Sequence, residues 1–117
     1  MQNAVLDLSF AFALRIIEYT ELLEEHRRFV IAKQLLRSGT SIGANINEAQ
    51  NAESKADFIH KLKISAKEAN ETEYWLKLCS QAKAYPDPTD LLEQLLAIQK
   101  LLSKIIHSTK LNTHETK

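Results

Sequence analysis

Apolar positions recur along most of this chain at the 3.6-residue period of an α-helix. The pattern is clearest over 88–108, where Leu91, Leu95, Ile98, Leu102 and Ile105 follow spacings of 4, 3, 4 and 3. That seam packs helices side by side at a shallow angle. Asp87 before Pro88, with Thr89 and Asp90 after it, reads as an N-cap, a proline at the first helical position and an acid in the first turn. A second helix is predicted over 54–84. Ser54 and Asp57 form an acidic variant of a capping box, and Phe58, Leu62, Ala69 and Leu76 share one face. The segment Tyr85-Pro86-Asp87-Pro88 ends it.

Two further helices are predicted over 5–24 and 29–50. The break between them, in Glu-Glu-His-Arg-Arg-Phe, contains neither Gly nor Pro. One long helix from 5 to 37 is the alternative. Within 29–50, Ser38-Gly39-Thr40-Ser41-Ile42-Gly43 has two glycines that together cost a helix interior roughly 2 kcal/mol relative to alanine. A loop is one local reading. Ile31, Leu35, Ile42 and Ile46 nevertheless keep helical phase through it, and Ala32, Gly39 and Gly43 fall on one side. An unbroken helix that uses small residues for close packing is the preferred reading. Four segments of about 20 residues make an all-α, antiparallel up-down-up-down bundle over 1–110. Residues 111–117 are expected to be a polar, fraying tail.

The apolar positions exceed what one bundle core needs. The last helix carries apolar residues over an arc of about 220°. The first carries two stripes, Val5, Phe12, Ile16, Tyr19 and Leu23, and Leu6, Phe10, Ala13 and Ile17, turned by about 120°. Surfaces of this kind mark an interface, so a homo-oligomer with much of its contact from the first and last helices is expected. Irregular packing in a monomer is the alternative.

Composition narrows the class. Two Gly and two Pro in 117 residues are too few for the regular turns of a β-sandwich or barrel. Fifteen basic and fifteen acidic residues cancel, which argues against a dedicated, strongly basic nucleic-acid binder. The cancellation is uneven. Residues 5–25 hold five acids and one Arg, whereas residues 54–83 hold six Lys and four acids. Lys55, Lys63, Lys67 and Lys77 form a modest basic stripe, with Arg27 and Arg28 as a second cluster. These six are the candidate nucleic-acid contacts. The competing reading is a solvated face with ordinary pairs such as Glu73–Lys77. Cys79 is the single cysteine, so no intrachain disulfide forms, and it reads as a packed small hydrophobe. No signal peptide or membrane span is evident, and a cytoplasmic location is expected.

No catalytic or metal motif is assembled. Asp57-x-x-His60 resembles half of a di-iron ligand pair but has no counterpart elsewhere. His26, His60, His107 and His114 lack zinc spacing. No phosphate-binding glycine loop or nucleophile elbow occurs, and no cofactor is expected. On the second helix, Gln34, Arg37, Ser38, Ser41, Asn45 and Glu48 border the apolar face within about 100°. They read as a structural polar network. Arg37 and Glu48 are too far apart to pair along one helix, so Arg37 is expected to take Glu68, Glu71 or Glu73, or an acid of another subunit.

The segment Gln-Leu-Leu-Arg-Ser-Gly-Thr-Ser-Ile-Gly-Ala-Asn-Ile-Asn-Glu-Ala, residues 34–49, resembles the signature of the bacterial four-helix-bundle proteins named after the 23S rRNA intervening sequence. Gln34, Arg37, Ser38, Ser41, Ile42, Asn45, Ile46 and Glu48 match it. Residues 54–78, with Phe58 and the Glu71/Tyr74/Trp75/Leu76 region, also resemble that family's third helix. The resemblance spans about residues 5–108. It implies an antiparallel four-helix bundle that assembles as a homopentameric ring. It also implies kinship with the accessory proteins of diversity-generating retroelements, which are basic pentamers that bind a reverse transcriptase and nucleic acid. The zero net charge sets this chain apart from them, because phosphate contacts supply most non-specific affinity. The expected function is a non-catalytic, homo-oligomeric binding module without a membrane role. Two classes stay open: an accessory to RNA, DNA or a nucleic-acid enzyme, and a protein-interaction scaffold.

Overall fold

Helical periodicity becomes four helices in a computed structural model that describes residues 2–115, with side-chain surroundings for 4–111. They are α1 (Gln2–Glu25), α2 (Phe29–Ala49), α3 (Lys55–Gln81) and α4 (Thr89–Glu115). The body measures 55 × 21 × 19 Å. Each helix packs on its chain neighbours, and α4 closes on α1. This is the expected all-α, up-down-up-down bundle. Among the described residues, no helix is long and apolar enough to cross a membrane.

The core is a set of seams at spacings of 3 and 4. Phe12, Ile16 and Leu23 on α1, Leu35, Ile42 and Ile46 on α2, Leu62 and Leu76 on α3, and Leu95, Ile98 and Leu102 on α4 are all buried. Burying such side chains contributes about 1.5–3 kcal/mol each.

The break between α1 and α2 is made by backbone geometry. Arg27 adopts a left-handed φ of 62°. Arg28 N–H then donates to Leu23 C=O at 2.8 Å, and Arg27 N–H to Glu24 C=O at 2.9 Å. This is the Schellman pattern, formed with arginine where glycine is usual. It excludes the single long helix. α2 runs unbroken through both glycines, because the core face continues across them.

The caps follow the sequence. Ser54 Oγ accepts from Asp57 N–H at 3.0 Å, and the Asp57 carboxylate accepts from Glu53 N–H at 3.1 Å. Asp87 Oδ1 accepts from Thr89 N–H at 3.1 Å and from its hydroxyl at 2.6 Å. Helix ends differ from the expected ones. α3 stops at Gln81, because Ala82 is extended and Ala84 is left-handed with φ 63°. α4 continues through Glu115, since no Gly or Pro interrupts it after 108. The tail expected over 111–117 is thus helical through 115, and residues 116 and 117 lie outside the described residues.

The surplus apolar surface is distributed differently from the expectation. α4 lies between α1 and α3, so Leu92 and Leu101 are half-buried and only Leu96 and Leu111 stay exposed among its described large apolar residues. The uncovered surface concentrates on α1, at Leu8, Phe10, Leu14, Ile17 and Leu22, and on α2, at Phe29, Val30 and Leu36.

Candidate functional site

The polar stripe of α2 meets α3 along a seam of small residues. Inside it, Ser65 Oγ donates to Ile42 C=O at 2.8 Å, and Thr72 Oγ1 donates to Ser38 Oγ at 2.9 Å. Ser38, Ser65 and Thr72 are all buried, so these bonds satisfy groups that would otherwise be costly. At the rim, Arg37 reaches Glu68 at 3.1 Å and Glu71 at 2.6 Å. Arg37 is half-exposed, at 49% of its side-chain surface, because it stands at the lip of the seam. Glu71 also accepts from Trp75 Nε1–H at 3.0 Å. The Arg37 guanidinium, and then the indole N–H, hold the Glu71 carboxyl below its usual range.

Other members of the expected network turn inward along their own helix. Ser41 Oγ donates to Arg37 C=O at 2.6 Å, and Asn45 Nδ2 to Ser41 C=O at 2.8 Å. Gln34 is half-buried and Glu48 exposed. Among the described residues, neither side chain makes a hydrogen bond or ion pair. Glu73, the other acid considered for Arg37, points toward α4. It accepts from Gln99 at 3.1 Å and pairs with Lys77 at 2.9 Å.

The lysines Lys55, Lys63, Lys67 and Lys77 are all exposed on α3. Lys77 is tied to Glu73, whereas Lys63 stands close enough to Lys110 to lower the latter's pKa. Tyr74, 58% exposed, sits among them on the outer face. Arg27 and Arg28 lie at the opposite end of α2 from Glu48. Arg28 packs its guanidinium over the Tyr85 ring, 4.8 Å from the centroid. Trp75 meets Tyr74 edge-on, with centroids 5.3 Å apart, and lines one cleft with Arg27, Arg28, Phe29 and Tyr85. The three helix-connected segments that supply this group are distant in sequence, so its aromatic half was not legible from spacing. The α3 resemblance points to Tyr74 and Trp75 but does not place them beside Arg28.

The remaining chemistry is sparse. Cys79 is buried, and burial pushes its thiol pKa up. Among the described residues, no group of three or more His, Cys, Asp or Glu could hold a metal ion.

A protein of unknown function from the S23 ribosomal protein family of Bacteroides thetaiotaomicron VPI-5482, solved at 1.70 Å resolution, is similar to this chain, with 50% identity and a TM-score of 0.83. The match covers 87% of this chain and 97% of that one. No curated protein matches. The model of the 23S rRNA-intervening sequence protein family matches residues 1–107. With the Arg37-centred seam and the four-helix bundle in place, the chain belongs to the 23S rRNA-intervening sequence protein family.

Proposed function

We propose that this protein is a non-catalytic, homo-oligomeric binding module that serves as an accessory to nucleic acid or to a nucleic-acid enzyme. The observation that carries the reading is the division of its surface. α1 exposes large apolar residues on several sides, whereas α3 exposes lysines around Tyr74. An apolar helix of this kind favours burial against another copy. Repeating the basic face around a closed ring would strengthen a local field that zero net charge hides. The resemblance to pentameric relatives supports a ring of five and the kinship with retroelement accessory proteins. The rRNA in the family's name favours a nucleic-acid partner.

Light scattering tests the assembly. A particle several times the 13.3 kDa chain mass is expected, and a monomer at micromolar concentration overturns it. Binding of single-stranded RNA or DNA at about 50 mM salt, falling steeply as salt rises, tests the nucleic-acid role. Absence of binding at that salt overturns it.

The second reading is a protein-interaction scaffold. The groove between α1 and α2, lined by Phe10, Ala13 and Ala44, favours it, since an apolar helix fits such a groove. That reading expects a partner whose binding resists salt and is lost when Phe10 is made charged.

A further inference from the structure

We propose that the cleft at the α1–α2 turn binds a single-stranded nucleic-acid segment, stacking a base on Trp75, Phe29 and the guanidinium that covers Tyr85, and resting the adjoining phosphate on Arg27 and Arg28. This deepens the nucleic-acid reading above and rests on it. The cleft has a volume of about 410 Å³, within the range of pockets that hold small organic ligands. Its composition is specific. Three aromatic side chains and two guanidiniums meet there, with the Gln34 amide on the same wall. Aromatic rings accept any base on its π-face, and guanidiniums serve phosphate and ring alike.

The parts are held in place before any ligand arrives. Trp75 is fixed by its hydrogen bond to Glu71, which Arg37 grips at 2.6 Å. The polar seam therefore orients the indole. The Arg28 guanidinium sits over the Tyr85 ring, 4.8 Å from its centroid, and adds a second group on which a base can stack. Preorganised groups lose less freedom on binding. Phe29, 56% exposed, stands at the rim.

A single strand fits this arrangement better than a duplex. A duplex keeps its bases stacked and offers chiefly phosphates, and this chain has no net charge to hold them. Stacking adds affinity that salt does not screen. Tyr74, Lys77 and Lys67 on the neighbouring exposed face of α3 repeat the alternation of ring and cation.

Trp75 is the single tryptophan, so its fluorescence reports on the cleft directly. The full chain is titrated at about 50 mM salt with a fluorescein-labelled oligothymidylate of about 12 nucleotides. An equal-length duplex and inorganic polyphosphate serve as probes lacking free bases. The oligothymidylate should quench Trp75, and polyphosphate should not. Arg28→Lys, which keeps charge but loses the plane, should weaken the anisotropy-measured affinity by about tenfold. Phe29→Ala, at a position 56% exposed, should weaken it in the same direction with the helical circular dichroism signal unchanged. If the oligonucleotide binds by anisotropy, yet Trp75 is not quenched and both variants bind like the parent, the cleft is excluded and the broader nucleic-acid reading stands. Preference for the duplex with no quenching excludes the cleft equally. If no nucleic acid binds, both readings fall.

Discussion

A β-carbon built on Gly39 would stand 2.9 Å from both Cγ1 and Cγ2 of Ile16. The two residues bring α1 and α2 together at the centre of the bundle, and Ile16 is fully buried. Alanine there gains about 1 kcal/mol of helix propensity but forces a stiff, branched side chain to move, at about 1–3 kcal/mol. Gly39→Ala is expected to destabilise by about 1 kcal/mol or more, read as a lower urea midpoint. A β-carbon on Gly43 would stand 3.3 Å from Ser9 Oγ, a milder approach. Gly43→Ala should therefore cost less than Gly39→Ala, and the reverse order would refute this packing account.

Arg27 adopts a conformation that costs an L-residue roughly 1–2 kcal/mol, in the turn that separates α1 from α2. Arg27→Gly removes that strain while loosening the unfolded chain. A net gain of about 0.5–1 kcal/mol is expected. The same variant should bind oligonucleotide less well. Stability and binding moving in opposite directions would mark an arginine kept for contact; equal binding would not.

Acid should weaken the fold. Asp57 is held below the ordinary 3.8 by Glu53 N–H and then by Lys61. Asp87 is held below 3.8 by the Thr89 hydroxyl and amide. Glu71 is held below 4.5 by Arg37 and Trp75, and Glu73 by Lys77 and Gln99. A carboxylate depressed in the folded state binds fewer protons there than in the unfolded chain. Its contribution is present above the unfolded pKa and is lost as pH falls through the folded one. The urea midpoint should stay level from pH 7 to about 5 and decline below about 4.5. Asp57→Asn combined with Asp87→Asn should flatten that decline.

Tyr19 ties α1 to the connection before α4, donating from its hydroxyl to Pro86 C=O at 2.6 Å. Burial, first, and then Cys79 push its pKa far up. Tyr19→Phe is expected to cost about 1 kcal/mol. An unchanged denaturation midpoint would show that this bond contributes nothing.

Self-association should depend on α1. Phe10 is 68% exposed in the single chain, so Phe10→Lys leaves the bundle fold intact by circular dichroism. In an assembly it places a charge against apolar surface. A shift to the monomer mass is expected, and an unchanged particle would move the interface elsewhere.

The amino-acid sequence by itself determined the helical segments, the N-caps of α3 and α4 and the inward faces. Each of these is a local property: a spacing of 3 or 4, a serine or aspartate at a helix start, a phase kept across Gly39 and Gly43. Tertiary structure alone decided the pairings. Arg37 took Glu68 and Glu71, while Glu73 turned to Gln99. Arg28 came to lie on Tyr85, and α4 buried most of an apolar arc that looked too wide for one core. These outcomes depend on how the helices are rotated and staggered against one another. That register is set by contacts between residues tens of positions apart, such as Ile16 with Gly39 and Ser38 with Thr72, and no local spacing records it.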